Sequence, residues 1–232
     1  MRLVVFDIDG TLQDTLSWWP ALCNRARVDF ARERGFAVEL LSDDDCNAVV
    51  GGGAELWPSL LPPEHRQLAA DFSSFVIERE VALLNDGTDR LFPGTRELLR
   101  ELQDDGVSIA LASNCGRQYL EAFVVGQSVA EWVSEAHCLD GYWTGVDGFR
   151  PSPVADKSQM LGAVLLSFRH KAAELRAVMV GDRKSDAQAA ADQRIPFVLR
   201  LGWHQPDELG EQAAVGDARE LGVVLPRLLS AS

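Results

Sequence analysis

An apolar segment at the start of the chain ends in two closely spaced acids. Residues 3–6 are continuously apolar and partly β-branched, and Asp7, Asp9 and Gly10 follow them. A short run that is apolar throughout is typical of a central strand covered on both faces. Because side chains alternate along a strand, Asp7 and Asp9 should project to the same side, with roughly 6 to 7 Å between their Cα atoms. The pattern predicts a covered sheet with two like charges at one strand end.

These acids have simpler interpretations as well. Asp and Gly are ordinary turn formers, so an isolated pair of acids could serve only to end a strand. A calcium loop would need Asp or Asn two positions after Asp9 and Glu at its twelfth position, where this chain has Thr11 and Trp18. Two carboxylates held this close require a cation, a proton or a phosphoryl-transfer intermediate. Three further elements, far away in the sequence, supply the other parts that a phosphoryl-transfer site at Asp7 would need.

Composition limits the possible functions. The 232 residues are 47% hydrophobic, enough for one large domain or one domain with an insertion. The net charge of -13 opposes binding to nucleic acid or to anionic membrane surfaces. The four cysteines are widely spaced, without a zinc-type cluster, and neither a secretory signal nor an apolar run of membrane-spanning length is present. We therefore expect a soluble cytoplasmic protein.

Alternating strand and helix patterns predict an α/β fold with a doubly wound, mostly parallel sheet. Residues 15–84 instead show only helical spacing, which indicates an all-helical insertion with a glycine-rich turn at Gly51–Gly53. The predicted domains are a core of residues 1–14 and 90–232 and a helical insertion of residues 15–89. The predicted core elements are helix 95–103, strand 107–112, a helix from 116, strand 136–139, a helix from 156, strand 177–180, helix 187–191, strand 197–201 and a helix from 218.

Polar residues follow two of these strands. Ser113 and Asn114 come after strand 107–112, where a hydroxyl and backbone N–H groups could hold phosphate, although the same pair is a common helix cap. Asp182 and Asp186 follow strand 177–180, with a spacing that puts both carboxylates on one helix face. Since ligands bind beyond the carboxyl ends of the strands in such folds, the acids should meet there. A hard divalent cation such as Mg²⁺ would offset the repulsion between their carboxylates.

A phosphate site also needs a cation of its own, and the chain has only three lysines. Lys157 opens a predicted helix, whereas Lys171 lies in a charged stretch and Lys184 lies inside the acidic loop. A lysine that is merely solvated is disfavoured at a helix start, because cations prefer the opposite end of the helix dipole. Lys157 is therefore the best candidate.

In family order, these motifs resemble the haloacid dehalogenase-like (HAD) hydrolase superfamily, within it phosphatases of the phosphoglycolate phosphatase type with a small helical cap. The resemblance covers essentially the whole chain. It implies that Asp7 attacks phosphorus to give an aspartyl-phosphate and that Asp9 serves as acid and base. It also implies Mg²⁺ held by Asp7, Asp182, the backbone carbonyl of Asp9 and, in or just behind the first shell, Asp186. The groups expected to bind the substrate's phosphate are Gly10, Thr11, Ser113, Asn114 and Lys157.

Two features depart from the pattern of many relatives. Gln13 precedes Asp14 where an apolar residue is common, and Arg150 stands before Pro151 where many relatives place the lysine. Arg is planar and larger than Lys, so Lys157 is favoured over Arg150 as the phosphate-binding cation. In the cap, Trp18, Trp19 and the Gly51–Gly53 turn are candidate substrate contacts, although two tryptophans on one helix more often serve packing.

The expected function is Mg²⁺-dependent hydrolysis of a small phosphomonoester, a phosphorylated metabolite that the sequence does not name. The alternatives are a phosphomutase, in which the phosphoryl group passes to a second sugar hydroxyl, and a non-catalytic module that binds a phosphate ligand. A dehalogenase is disfavoured, since Asp9 supplies an acid that carbon–halogen cleavage does not need. The motifs leave the oligomeric state open.

Overall fold

The computed structural model describes residues 1–52, 54–202 and 204–230, with the side chain of Ala54 left aside. Its centre is an eight-stranded sheet in the order β5-β4-β3-β2-β1-β6-β7-β8. All neighbours are parallel except β3–β4 and β4–β5. The strands are β1 Arg2–Phe6, β2 Val107–Ala112, β3 Glu135–Cys138, β4 Gly141–Thr144, β5 Gly148–Pro151, β6 Arg176–Gly181, β7 Phe197–Arg200 and β8 Ala213–Val215. The predicted mostly parallel α/β sheet is confirmed.

Strand β1 lies in the middle of the sheet and is buried on both faces. Val4 and Phe6 point into one apolar cluster, while Leu3 and Val5 point into the cluster on the opposite face. The core helices cover these faces, so a continuously apolar strand is the form that buries most surface here. They are α4 Thr95–Asp104, α5 Arg117–Gly126, α6 Lys157–Arg169, α7 Lys184–Gln193 and α8 Ala218–Ser230.

Sequence patterns did not reveal three short strands. Strands β4 and β5 form an antiparallel hairpin at one edge of the sheet, and β8 forms the other edge. Edge strands are short and half-exposed, and Pro151 at the end of β5 is tolerated there because one side of an edge strand makes no ladder bonds. Their residues therefore lack the apolar run that marks a central strand.

The helical insertion contains α1 Trp19–Arg34, α2 Asp43–Asn47, α3 Ala69–Leu84 and three 3₁₀ turns, with no strand among its described residues. It has an apolar cluster of its own, built around Trp19, Phe30 and Phe72. The two chain crossings between insertion and core lie side by side, because the Asp14 N–H donates to the Arg90 carbonyl at 2.9 Å and the Phe92 N–H donates to the Leu12 carbonyl at 2.9 Å. Both crossings thus stand next to the loop that carries Asp7 and Asp9.

None of the helices in the described parts of the chain combines the length and the apolar character that a membrane span requires.

Candidate active site

Three buried acids meet at the carboxyl ends of the two central strands. Asp7 directly follows β1, Asp182 directly follows β6, and the Asp7 N–H donates to the Val180 carbonyl at 2.9 Å. Asp186 lies in the first turn of α7. One carboxylate oxygen from each of the three acids lies within 4.8 Å of the others. Of the four acids that were expected to meet here, the structure groups these three, and Asp9 is not in the group.

The loop after β1 packs tightly against Asp182. Gly10 has a φ of +74°, and a Cβ atom at this position would lie 2.3 Å from Asp182 Oδ2, so only glycine fits. The Thr11 hydroxyl donates to Asp182 Oδ1 at 3.3 Å. Gly10 and Thr11 were predicted to bind substrate; in the structure both contact Asp182, and neither is among the described residues that line the adjoining cavity.

Lys157 ties two of the acids together. Its Nζ lies 2.9 Å from Asp7 Oδ1 and is also ion-paired with Asp186 Oδ1. The second oxygen of Asp186 accepts the Arg183 N–H at 2.9 Å, which caps helix α7. Burial lowers the pKa of Lys157, but the carboxylates of Asp186 and Asp7 outweigh this effect and raise it, so the ammonium stays charged.

Arg150 does not reach this cluster. It lies on the edge strand β5 with 54% of its side chain exposed, and its Nη2 pairs with Asp147 Oδ1 at 2.9 Å. Of the two cations that the sequence offered for the phosphate site, the structure thus brings only Lys157 to Asp7.

Asp9 lies apart from the three acids and is held by hydrogen bonds. One of its carboxylate oxygens, Oδ1, accepts from the Thr15 hydroxyl at 2.6 Å, from Gln13 Nε2 at 3.2 Å and from the Tyr119 hydroxyl. Burial raises the pKa of Asp9, the Thr15 and Tyr119 bonds oppose this, and the charge of Asp7 adds to it. A carboxyl group with a raised pKa beside the nucleophile candidate is suited to proton transfer.

Sequence reasoning missed Tyr119 and Thr15 as partners of Asp9. Tyr119 occupies an apolar position of α5 and is indistinguishable from a core aromatic by spacing alone. Gln13 did carry a signal, since it is a polar residue where the family pattern is commonly apolar. The structure explains why a polar residue stands here, because the side-chain amide of Gln13 donates hydrogen bonds to Asp9, Thr15 and Tyr119.

Ser113 and Asn114 follow β2, as predicted, and both line a cavity of about 200 Å³ between the core and the helical insertion. Asn114 Nδ2 donates to the Gly51 carbonyl at 3.1 Å. The glycine-rich turn of the insertion therefore closes against the core through this bond. Gly51 and Gly52 line the cavity, whereas Gly53 lies outside the described residues.

The two tryptophans predicted as substrate contacts are placed differently. Trp19 lines the cavity, although it is 97% buried and belongs to the insertion's apolar cluster. Trp18 is not among the described lining residues; it packs against that cluster, and the Arg90 guanidinium lies 5.9 Å from its ring centroid. Helical rotation explains the difference, because adjacent residues project about 100° apart around a helix axis. A direct contact of Trp18 with a ligand in this cavity is therefore not supported.

The acid cluster fits a hard divalent cation. Asp182 Oδ2 is buried and accepts no hydrogen bond from the described residues, with Arg183 Nε 3.4 Å away. Burial raises the pKa of Asp182 well above its usual value, and the charges of Asp7 and Asp186 add to this shift. Three carboxylates exceed the charge that Lys157 brings, and buried oxygens of this kind are typical ligands of Mg²⁺. Asp7 and Asp182 offer the most direct ligands, since Asp186 is occupied by Lys157 and the Arg183 N–H.

Comparison with known proteins gives a consistent result. The chain is 24% identical over 220 residues to phosphoglycolate phosphatase of Vibrio parahaemolyticus, covering 90% of this chain and 88% of that protein. It is 27% identical to the phosphoglycolate phosphatase of Synechococcus elongatus, covering 94% and 91%. The crystal structure of CbbY from Rhodobacter sphaeroides in complex with phosphate has the same fold, with a TM-score of 0.65, 21% identity and 95% and 96% coverage. The family model described as haloacid dehalogenase-like hydrolase matches residues 1–193, and the chain belongs to this family of hydrolases.

Proposed function

We propose that this protein is a phosphatase that hydrolyses a small phosphomonoester through an aspartyl-phosphate on Asp7. The observation that carries the proposal is the arrangement around Asp7: its carboxylate is paired with the Lys157 ammonium at 2.9 Å, and Asp9 follows two residues later beside the cavity. This arrangement supports Asp7 as the nucleophile, Lys157 as the phosphate-binding cation and Asp9 as the proton donor.

In the first step, a carboxylate oxygen of Asp7 forms a bond to phosphorus while the bond from phosphorus to the leaving oxygen breaks. Asp9 donates its proton to that oxygen, and the product alcohol departs. In the second step, Asp9 takes a proton from a water molecule, whose oxygen attacks phosphorus and releases Asp7 and inorganic phosphate. Lys157 and the Ser113 hydroxyl stabilise the charge on the phosphoryl oxygens in both steps.

We propose Mg²⁺ as the cofactor, held by the carboxylates of Asp7 and Asp182 and the backbone carbonyl of Asp9, with Asp186 behind them. When bound, the cation offsets the charge of the acids and of the phosphoryl group, so that an anionic nucleophile can approach an anionic substrate. The buried Asp182 Oδ2, which accepts no hydrogen bond from the described residues, supports this assignment.

We further propose that residues 15–89 act as a cap that closes over the core. The cavity has walls from both parts, and the Asn114–Gly51 bond joins them. Closure would exclude bulk water from the aspartyl-phosphate and admit only leaving groups that fit the cavity.

The relatives point to small phosphorylated metabolites as substrates. Two of them are named for phosphoglycolate, and a variant of CbbY was crystallised with xylulose-(1,5)bisphosphate. A cytoplasmic location agrees with the four cysteines, all of which are free thiols.

The direct test is release of inorganic phosphate from para-nitrophenyl phosphate, whose activated leaving group makes few demands on the cap. We expect turnover with Mg²⁺, loss of at least about 90% of it after the metal is removed with a chelator, and recovery when Mg²⁺ is added back. Calcium is the matched control, because its larger radius and looser geometry should not restore the rate. If the protein binds inorganic phosphate but does not hydrolyse the ester, the non-catalytic alternative is supported. If turnover is unaffected by the chelator, the proposed cofactor is contradicted.

Mutation can distinguish Lys157 from Arg150 as the phosphate-binding cation. We expect Lys157→Ala to lower kcat by about a hundredfold or more, because a donor to the transferring phosphoryl group is lost. Arg150→Ala should retain nearly full activity, since its charge is already paired at the surface with Asp147. Steady-state rates of the two purified variants decide the assignment, and a larger loss in Arg150→Ala would transfer the role to Arg150.

A further inference from the structure

Glu80 is a buried acid of the helical insertion that the proposed mechanism does not use. It lies on α3, is 9% exposed and lines the cavity next to the core residues Asp9, Ser113 and Tyr119. Among the described residues, its carboxyl group has no hydrogen-bond or ion-pair partner. A buried carboxyl without a partner is costly, and such groups are retained where a ligand satisfies them.

The cavity around Glu80 is acidic. Its described lining contains three carboxyl groups, from Asp9, Glu80 and Asp140, and no Lys, Arg or His. One Asp140 oxygen already accepts the Arg117 N–H at 2.8 Å, whereas the Glu80 carboxyl makes no such bond to the described residues. Burial and the charge of Asp9 raise the pKa of Glu80 to about 8, so this group ionises readily only when the donor of a ligand stabilises its charge. A carboxylate carried by a ligand would meet no cation among the described lining residues.

The neighbouring wall is aromatic. Trp19 and Trp57 both line the cavity and contact each other edge to face, with 6.2 Å between their ring centroids. The Trp19 Nε1 donates to the Cys46 carbonyl at 2.6 Å, so this ring offers the cavity an apolar surface without an N–H. An acid beside indole rings is the combination that binds hydroxylated or ammonium-bearing groups, through a hydrogen bond to the acid and contact with the ring.

We propose that Glu80 selects the substrate: the leaving group carries a hydroxyl or ammonium group that donates to Glu80, and leaving groups that carry a carboxylate are rejected. This inference rests on the proposed phosphatase function and names its substrate class. It separates this chain from the relatives named for phosphoglycolate, a phosphomonoester whose glycolate leaving group carries a carboxylate. Asp9, the proposed proton donor to the leaving oxygen, lines the same cavity as Glu80, so a leaving group that reaches Asp9 lies in this cavity.

Three phosphomonoesters test the proposal: 2-hydroxyethyl phosphate, 2-aminoethyl phosphate and phosphoglycolate. Their leaving groups each have two carbons and differ in the terminal hydroxyl, ammonium or carboxylate. For the wild-type holoenzyme we expect kcat/KM for each of the first two esters to exceed that for phosphoglycolate by about tenfold or more. The reason is that the carboxylate of phosphoglycolate would be a buried charge without a partner in this cavity. The comparison between hydroxyl and ammonium then shows which of the two donors is preferred.

Glu80→Gln keeps the side-chain shape and removes the carboxylate that an ammonium group of the substrate would stabilise. We expect it to shift the ratio of kcat/KM for phosphoglycolate to that for 2-aminoethyl phosphate toward phosphoglycolate by about tenfold or more, with a smaller shift for the hydroxyl substrate. Glu78→Gln is the matched control, because Glu78 lies on the exposed face of the same helix, and its ratios should equal those of the wild type. Substrate ratios are read within one protein, so a fold that is partly lost would not imitate the result.

The outcomes separate this inference from the function on which it rests. If wild type releases no phosphate from para-nitrophenyl phosphate or from the three esters, both are overturned. If it is a phosphatase but prefers phosphoglycolate, or if Glu80→Gln leaves the ratios unchanged, the role of Glu80 is overturned and the phosphatase function stands.

Discussion

Asp7→Asn should abolish phosphatase turnover, with a loss of roughly 10⁴-fold or more, as when other covalent nucleophiles are removed. An amide cannot form the acyl-phosphate, and it also loses the charge that Lys157 faces at 2.9 Å. The loss should be similar for activated and unactivated esters, because the missing bond is the one to phosphorus. Initial rates with para-nitrophenyl phosphate and with an alkyl phosphate provide the measurement.

The same variant should remain folded. Asp7, Asp182 and Asp186 form a buried like-charge cluster, and removing one of the three charges relieves repulsion that raises the pKa of the other two. Lys157 keeps Asp186 as a partner. In the presence of a chelator we therefore expect the Tm of Asp7→Asn to equal or exceed that of the wild type. Substantial turnover in purified Asp7→Asn, with its fold intact, would rule out the aspartyl-phosphate mechanism.

Asp9→Asn should show a loss that depends on the leaving group. For an alkyl phosphate we expect a decrease of about 10²- to 10⁴-fold, because the leaving oxygen departs without a proton. For para-nitrophenyl phosphate the first step needs no such proton, so the remaining loss reflects only the activation of water in the second step. The ratio of the two rates, measured in wild type and variant, isolates the role of Asp9 from any general effect on folding.

A matched control comes from the contacts of Asp9. Tyr119→Phe removes one donor to Asp9 Oδ1 but leaves Thr15 and Gln13 in place, so it should lower both rates modestly and by similar factors. Hydrolysis of alkyl phosphates at the wild-type rate by Asp9→Asn would assign the acid and base to another group.

Local sequence patterns predicted the centre of the sheet but not its edge. The run before Asp7 predicted a central strand because burial on both faces leaves only apolar residues. The acids after β1 and β6 could be expected to meet, since parallel neighbours end at the same sheet edge. The β4–β5 hairpin was missed, because an edge strand is half-exposed and keeps no such run.

The sequence by itself determined which acids lie at the carboxyl edge of the sheet. Asp7, Asp182 and Asp186 stand next to strand ends or a helix start, and the patterns of these elements are strong over a few residues. Only the tertiary structure decided what surrounds that chemistry. Lys157 rather than Arg150 reaches Asp7, Trp19 rather than Trp18 lines the cavity, and Glu80 lines the same cavity as Asp9. These facts depend on how a helix from one part of the chain is rotated and docked against another. Local periodicity carries no information about that docking, because an inward-facing acid and a solvated acid on an amphipathic helix occupy the same kind of sequence position until the packing partner is known.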